Sequence, residues 1–257
     1  MRSVTDEYES DLRDAPAWRA LQWRARSVRT TSPLAVPVRK LRCTPVPGAG
    51  DPLRVGIFAG IHGDEPAGTL AAHQLATWAQ TMPPKLAGYE LHLYPVCNPT
   101  GLAAKTRHSR AGLDLNREFW CGSDQPEVKQ LEAELRAERY DVIISLHEDD
   151  TSYGLYGFVS GGLLSEHLLE PALTAASQFL PRNQAPIIDG FPAFRGIIRE
   201  GYRGVLSAPP EQRPRALEMV FETPVDAPLH LRVKASVVAV QTSLTAYRQL
   251  LAHGANL

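Results

Sequence analysis

Short runs of apolar residues alternate along this chain with longer stretches whose apolar positions recur at helical spacing. The short runs, which predict strands, cover residues 54–59, 90–96, 141–146 and 217–221. The helical patterns cover residues 66–80, 125–139, 163–179 and 229–253. The first and third runs are almost continuously apolar, which is typical of parallel strands covered on both faces. The pattern therefore predicts an α/β fold with a mixed, mostly parallel central sheet and helices on both faces.

The chain before the first predicted strand has a different character. Residues 1–31 mix acidic and arginine side chains around Trp18, Leu21 and Trp23, which predicts one amphipathic helix. Prolines then indicate an extended entry segment that reaches residue 52. We therefore expect residues 1–52 to pack on the outside of a single domain that spans residues 53–257.

Composition narrows the classes of function. The 27 lysines and arginines nearly balance the 28 aspartates and glutamates, so the net charge is −1. That balance gives no electrostatic footprint for nucleic acid or an anionic membrane. No apolar run approaches the roughly 20 residues that span a bilayer, and no secretory signal is visible. The 3 cysteines form no Cys-x-x-Cys pair, which indicates reduced thiols and predicts a cytoplasmic protein.

Polar side chains follow the predicted strands at the points where the strands end. His62 follows the first strand, Asn98 the second, His147 the third and Glu222 the fourth. Ligands of open α/β sheets bind in the crevice outside the carboxyl ends of the strands. We therefore expect these side chains to lie on one rim of the sheet.

A His-x-x-Glu pattern on the first of these loops predicts two metal ligands, His62 and Glu65. Zinc binds imidazole nitrogen and carboxylate oxygen, and catalytic zinc commonly has three protein ligands and an open position. The spacing alone is weak, because His167 and Glu170 repeat it inside an amphipathic helical stretch, where a solvated helix face is expected. The first copy differs in following a buried strand beside glycines, which allow close backbone approach.

A third ligand would have to come from a distant strand. His147 ends an apolar run and precedes three acidic residues, Glu148, Asp149 and Asp150. It is either a metal ligand whose ring donates to one of these carboxylates, or a histidine that simply caps a strand. Both interpretations stay open at this point.

Several short motifs occur in one fixed order along the chain. They comprise residues 60–65, 98–101, 106–107, 112–117, 147 and 221–224. Together they resemble the zinc carboxypeptidase superfamily, which includes pancreatic-type carboxypeptidases, murein-peptide amidases and the aspartoacylase/succinylglutamate desuccinylase branch. The resemblance implies a single-domain zinc carboxypeptidase-like fold and an enzyme, a zinc metallohydrolase.

The resemblance also implies the residues that bind the metal and perform the reaction. His62, Glu65 and His147 would hold zinc. Arg107 would polarise the scissile carbonyl and stabilise the oxyanion, and an arginine stays charged at working pH. Glu222 would be the general base and then the proton donor to the leaving amine.

Asn116 and Arg117 would bind the free carboxylate of the substrate, a task that suits a planar guanidinium. Other interpretations stay open for residues 107–117. Arg110 competes with Arg107 for the oxyanion, and Asp114 or Asn116 could cap a short helix. The aromatic residue that closes over substrate in pancreatic enzymes has only candidates here, which are Tyr153, Tyr156 and Tyr202.

The predicted reaction is zinc-dependent hydrolysis of an amide bond adjacent to a free carboxylate, of carboxypeptidase or murein-peptide-amidase type. The alternative is an N-acyl amino acid deacylase of the aspartoacylase/succinylglutamate desuccinylase kind. That branch usually carries a β-rich domain after its catalytic glutamate, whereas here 35 residues follow Glu222. The expected partner is a small peptide or acyl-amino acid. A serine hydrolase is disfavoured, because the serine of Gly157-Phe-Val-Ser-Gly161 lies one residue too far from the first glycine for a nucleophile elbow.

Overall fold

The computed structural model describes residues 38–43 and 51–254. Within this part of the chain, the strands are β1 (Leu41–Cys43), β2 (Leu53–Ala59), β3 (Tyr89–Tyr94), β4 (Val142–Asp149), β5 (Tyr156–Gly161), β6 (Ile187–Ile188), β7 (Phe191–Phe194), β8 (Ile197–Ile198) and β9 (Leu217–Pro224). The helices are α1 (Pro66–Thr81), α2 (Pro99–Ala104), α3 (Pro126–Glu138), α4 (Glu166–Ala176) and α5 (Leu229–Gly254). Short 3-10 helices lie at Pro83–Leu86 and Leu115–Arg117.

The strands form one mixed sheet in the order β1-β3-β2-β4-β9-β5-β8-β7-β6. Its centre is parallel, because β2 pairs in parallel with β3 and β4, and β4 pairs in parallel with β9. Antiparallel pairs flank this centre, between β1 and β3 and between β5 and β9. The predicted mixed, mostly parallel sheet is confirmed.

Alternating side chains of the central strands feed two separate cores. Val55, Ile57 and Ala59 of β2 lie in the core that includes α1, α4 and α5. Phe58 and Ile143 face the opposite side, where they pack with apolar residues of α3. Because successive side chains of a strand point to opposite faces, each strand serves both layers. Helices on both faces of the sheet are therefore confirmed as well.

The third and fourth central strands are longer than their apolar runs predicted. β4 and β9 remain paired from His147 opposite Glu222 to Asp149 opposite Pro224. His147 and Glu222 are therefore strand residues near the carboxyl ends, and the prediction that they follow their strands was wrong. Continued backbone pairing extends the strands past the point where the apolar pattern ends.

The predicted helix over residues 163–179 is also shorter, spanning Glu166–Ala176. The chain turns before it, where Gly162 donates to the carbonyl of Ala216 and Leu163 is almost fully exposed. Ser160 of the discounted nucleophile motif lies on strand β5, and its hydroxyl donates to Oε2 of Glu218 at 2.7 Å. A strand placement is not the strand-to-helix turn that a nucleophile elbow needs.

The predicted N-terminal helix over residues 1–31 lies outside the described residues. Part of the segment that was expected to pack outside the domain, Leu41–Cys43, pairs with β3 in the central sheet. Among the described residues, no helix is both long and apolar enough to cross a membrane.

Candidate active site

The loop between β2 and α1 carries His62 and Glu65 and is held by close backbone packing. A Cβ atom added to Gly63 would lie 2.0 Å from the carbonyl carbon of Gly101, so only glycine fits there. The amide of Gly63 also donates to the carbonyl of Thr106 at 3.0 Å. This packing fixes the direction in which both candidate ligands leave the loop.

Asn98, which was expected on the same rim, supports this loop from below. Its side chain is fully buried, and its Oδ1 accepts from the amide of Gly101 at 2.8 Å, which caps α2. Its Nδ2 donates to the carbonyl of Ile61 at 3.3 Å. The geometry therefore gives Asn98 a structural role, in which it caps α2 and holds the loop, rather than a contact with a substrate.

The structure brings His62, Glu65 and His147 together in a buried cluster. One ligand atom from each lies within 4.8 Å of the other two. Nδ1 of His62 lies 2.5 Å from Oε1 of Glu65, and Nδ1 of His147 lies 3.0 Å from Oε2 of the same carboxylate. Two imidazole nitrogens and a carboxylate form a donor set that suits a divalent transition metal. These three residues could therefore hold a metal ion.

The electrostatics of the cluster keep its carboxylate ionised. Burial opposes the charge of Glu65, but His147 and His62 outweigh burial and lower the pKa of Glu65 to about 2. Burial lowers the pKa of His147, which favours the neutral ring that a metal requires. For His62, burial is outweighed by hydrogen bonds to Asp114 and Glu65, which raise its pKa.

The sequence pattern predicted only a capping role for Asp114, whereas the structure makes it a residue of the site. Its Oδ1 lies 3.0 Å from Nε2 of His62, the ring nitrogen that points away from Glu65. Its Oδ2 accepts from Nε and Nη2 of Arg107 at 3.2 and 3.0 Å, and its Oδ1 also accepts from the amide of Asn116. Carboxylates that accept from the second nitrogen of a ligand histidine fix its tautomer and orientation. Asp114 thus connects a candidate ligand, the candidate oxyanion arginine and the carboxylate-binding segment.

The acids after His147, which were expected as acceptors for its ring, bond to other groups in the structure. Oε1 of Glu148 accepts from the amide of Ala67 in α1 at 2.7 Å, and Oε2 forms an ion pair with Nη1 of Arg232. Asp149 accepts from the hydroxyl of Tyr156 at 2.7 Å. Among the described residues, neither carboxylate is bonded to the ring of His147. The interpretation that they orient this ring was wrong. Glu148 follows His147 directly in the strand and points to the opposite face. Asp149 shares the face of His147 but is bonded to Tyr156 instead.

A cavity of about 570 Å³ opens beside the three candidate ligands. Every residue predicted for the site lines it: His62, Glu65, Arg107, Asn116, Arg117, His147 and Glu222. The competing Arg110 is exposed and does not line the cavity. Arg107 is therefore the arginine of that stretch that lies beside the cluster, with its Nη1 3.5 Å from Oε1 of Glu65.

Asn116 and Arg117 lie on the short 3-10 helix that Asp114 caps. Oδ1 of Asn116 accepts from the amide of Leu206 at 2.9 Å, which leaves the amide group of its side chain as the available donor. Nη1 of Arg117 donates to the carbonyl of Asn116, and its guanidinium stacks 3.9 Å from the centre of the Tyr202 ring. Both side chains are held in place before any substrate binds.

The three candidate tyrosines occupy different places. Tyr202 lines the cavity and stacks on Arg117. Tyr156 also lines it, but its ring is buried and its hydroxyl donates to Asp149. Tyr153 is exposed outside this cavity. Tyr202 is therefore the candidate with both exposure and contact to the carboxylate-binding arginine.

Glu222 points into the cavity from β9, directly opposite His147 in the sheet register. Only 9% of its surface is exposed. Burial, followed by the charges of Glu65 and Asp149, raises its pKa well above the ordinary value of a glutamate. A carboxyl group with a raised pKa can both take and return a proton near neutral pH.

The fold is that of metallocarboxypeptidase-like hydrolases, and the chain is similar to known proteins of this class. Residues 52–185 match the succinylglutamate desuccinylase/aspartoacylase catalytic domain. The chain belongs to this family, which confirms both the resemblance to the zinc carboxypeptidase superfamily and the prediction of an enzyme.

Two solved structures share the fold of this chain, and one curated relative shares part of its sequence. A candidate metallopeptidase from Shewanella denitrificans superposes with a TM-score of 0.71 at 22% identity, covering 94% of this chain and 90% of that one. A metallo-carboxypeptidase from Pseudomonas aeruginosa, in complex with (2-guanidinoethylmercapto)succinic acid, gives a TM-score of 0.68 at 20% identity, covering 95% and 69%. Carboxypeptidase SOL1 of Arabidopsis thaliana is 31% identical over 106 residues, which cover 34% of this chain and 21% of that protein. The match thus spans about a fifth of this curated relative.

Proposed function

We propose that this protein is a zinc-dependent hydrolase of an amide bond adjacent to a free carboxylate, of carboxypeptidase or murein-peptide-amidase type. The observation that carries the proposal is the convergence of His62, Glu65 and His147 at the wall of a cavity that also holds Glu222 and Arg107. Metal ligands, a carboxyl group with a raised pKa and a fixed cation are the parts that metal-assisted amide hydrolysis requires.

The chemistry of the donor set supports zinc as the metal. His62 and His147 would each bind through Nδ1, and Glu65 through its carboxylate. Three protein ligands leave a coordination position open, as catalytic zinc sites do. When bound, zinc supplies Lewis acidity that lowers the pKa of water towards about 7.

The chain's own residues would handle the proton and the developing charge. Glu222 would take a proton from the attacking water on a carboxylate oxygen and return it to the nitrogen of the leaving amine. Arg107 would stabilise the negative charge that develops on the carbonyl oxygen. Nε and Nη2 of Arg107 both donate to Oδ2 of Asp114, which holds the guanidinium in place, so little reorganisation would accompany the reaction.

The substrate carboxylate would bind between the free amide group of Asn116 and the guanidinium of Arg117. A planar guanidinium binds a carboxylate through two parallel hydrogen bonds. Binding there would set the distance between the terminal carboxylate and the scissile bond, which positions the carbonyl against Glu222.

The family match favours a second candidate, an N-acyl amino acid deacylase that uses the same site. The matching domain is that of succinylglutamate desuccinylase and aspartoacylase. In such an enzyme the acyl group, rather than the amine side, would be selected. The structural relative from Pseudomonas aeruginosa is instead a carboxypeptidase with a guanidino-succinic acid bound, which supports the peptidase form.

A substrate panel separates the two candidates. The zinc-loaded protein is assayed on short peptides with a free carboxyl terminus and on N-acetyl and N-succinyl amino acids, with a chelated sample as control. We expect hydrolysis of the peptides that chelation abolishes. A preference for the acyl-amino acids would assign the protein to the deacylase branch, and equal activity in the chelated sample would contradict the role of the metal.

The Glu222→Gln variant tests the assignment of the general base. Glutamine is close in shape to glutamate but cannot take the proton, so we expect kcat/KM to fall roughly 100- to 10,000-fold while zinc stoichiometry is retained. Retention of the full hydrolytic rate with stoichiometric zinc would show that this mechanism is wrong.

A further inference from the structure

The cavity beside the candidate ligands is lined by side chains of both charges. Arg107, Asn116 and Arg117 supply cationic and amide donors, and Asp149 and Asp189 supply carboxylates. Among the described residues, neither aspartate forms an ion pair. These two aspartates, which we call the acidic wall of the cavity, therefore carry negative charge that no direct ion pair with the described residues neutralises.

Tyrosine hydroxyl groups hold both of these carboxylates in position. The hydroxyl of Tyr156 donates to Oδ2 of Asp149 at 2.7 Å, and the hydroxyl of Tyr202 donates to Oδ1 of Asp189 at 3.0 Å. A neutral donor orients a carboxylate without cancelling its charge. The arrangement fixes the two anions and leaves them available to a cation.

A third carboxyl group that lines the same cavity lacks a hydrogen-bond partner among the described residues. Glu222 is 9% exposed, lies opposite Tyr156 in the sheet register, and accepts no hydrogen bond from the described residues. Burying a carboxyl group without a hydrogen-bond partner costs free energy. A ligand group that donates hydrogen bonds would offset this cost.

Tyr202 contacts both Arg117, which would bind the substrate carboxylate, and Asp189 of the acidic wall. Its ring stacks 3.9 Å from the guanidinium of Arg117, and its hydroxyl is bonded to Asp189. Because Arg117 and Asp189 both contact Tyr202, one long side chain can join a substrate carboxylate at Arg117 to a positive group at Asp189. Asp149 and Asp189 also line an adjoining cavity of about 380 Å³, so there is room for that chain to end.

We propose that this acidic wall selects substrates whose carboxylate-bearing residue ends in an ammonium or guanidinium group. The inference rests on the proposed hydrolytic function and names its substrate class. Acidic side chains are disfavoured by the same wall, because Asp149 and Asp189 repel them.

Three substrates that differ only in the terminal residue test the proposal. The zinc-loaded protein is assayed on benzoyl-glycyl-lysine, on its norleucine counterpart, which has the same four-carbon chain without the ammonium group, and on its glutamate counterpart. We expect kcat/KM to be highest for lysine and lowest for glutamate. Equal values for lysine and norleucine, or a preference for glutamate, would overturn the proposal.

The Asp189→Asn variant assigns the preference to one residue. Asp189 has a φ of +51°, which asparagine tolerates, and the asparagine oxygen can still accept from Tyr202. We expect kcat/KM for the lysine substrate to fall roughly fivefold while the norleucine value stays unchanged. Asp150→Asn is the matched control, since Asp150 is an exposed acid lining the same cavity. Equal loss in both variants would mean a general charge effect and would contradict the assignment.

Binding measured separately distinguishes failure of the inference from failure of the proposed function. Calorimetry of zinc-loaded Glu222→Gln with the lysine and norleucine substrates reports the preference without turnover. Tighter binding of the lysine substrate together with no hydrolysis by the native protein would support the acidic wall and refute the hydrolase. Hydrolysis by the native protein, with no difference in binding or rate between the two substrates, would support the hydrolase and refute the acidic wall.

Discussion

Two segments of this chain have the same His-x-x-Glu spacing and opposite surroundings. His62 and Glu65 leave a loop after a central strand, are buried, and meet a third group from another strand. His167 and Glu170 lie on α4, where His167 is exposed and Glu170 pairs with Arg182 at 2.5 Å. Spacing places a histidine near a glutamate in both segments. Only the carboxyl edge of a parallel sheet adds a third donor and a cavity.

The two glutamates also differ in the origin of their charge. The pKa of Glu65 is lowered against the effect of burial by two histidines, which are groups that can bind a metal. The pKa of Glu170 is lowered chiefly by its hydrogen bond from Arg182, an arginine that cannot give up its proton. Glu170 is thus already neutralised by a permanent cation, whereas the charge of Glu65 remains available to a metal ion.

Removal of one histidine from each segment should have the largest and most unequal effect. His62→Ala removes a candidate ligand, so we expect loss of bound zinc and a fall in kcat/KM of at least about a thousandfold. His167→Ala should leave zinc content and rate unchanged. Zinc is measured by elemental analysis after dialysis. Equal zinc content in the two variants would reverse the roles given to the segments.

Two arginine–glutamate pairs that differ in burial extend the comparison to stability. Arg232 pairs with Glu148, whose side chain is fully buried, whereas Arg182 pairs with Glu170, whose side chain is 35% exposed. Arg232→Met leaves a buried carboxylate without its ion-pair partner and should lower the free energy of unfolding by about 3–5 kcal/mol. Arg182→Met leaves a carboxylate that water can reach and should cost about 1 kcal/mol or less. Denaturant titration measures both, and similar losses would contradict this difference in burial.

Asp114 should matter for metal affinity, and Glu170 should not. Asp114→Ala removes the acceptor from Nε2 of His62, so we expect zinc affinity to weaken roughly 10- to 100-fold. Asp114→Asn keeps a neutral acceptor and should give an intermediate loss. Competition with a chelator measures the affinities, and Glu170→Gln is the control. An unchanged affinity in Asp114→Ala would remove the orienting role proposed for this carboxylate.

The smallest effect concerns the pH dependence of the pair between Glu170 and Arg182. The pKa of Glu170 is lowered in the folded protein, so the pair stabilises the fold above the unfolded pKa of a glutamate. That stabilisation is lost as the pH falls through the lower folded value. Because Glu170 is partly exposed, Glu170→Gln should cost up to about 1 kcal/mol at pH 7. The cost should vanish in acid. Unfolding curves of both proteins at several pH values measure it, and a cost that does not change with pH would contradict a contribution from this ion pair.

The apolar pattern contained enough information for the central sheet and its helical layers. Strands such as β2 and β4 are long, buried on both faces and almost continuously apolar, so their periodicity is clear. β6 and β8 have two residues each and carry no periodic signal. Their pairing depends on tertiary contacts that no local window contains.

The candidate site was likewise predictable from local sequence only in part. The loop after β2 could be predicted because glycines and a strand end mark it in the sequence. The ends of β4 and β9 could not, because paired backbone groups carry the strands past the apolar residues and include His147 and Glu222. The contact between Asp114 and His62 joins residues 52 positions apart, and only its local capping role was visible in the sequence.

Anomalous diffraction at the zinc edge, from crystals of the zinc-loaded protein, tests the proposed metal centre most directly. We expect one strong peak bounded by Nδ1 of His62, the carboxylate of Glu65 and Nδ1 of His147, and no peak at His167 and Glu170. A peak at another place, or none beside these three residues, would contradict the metal centre on which the proposed function depends.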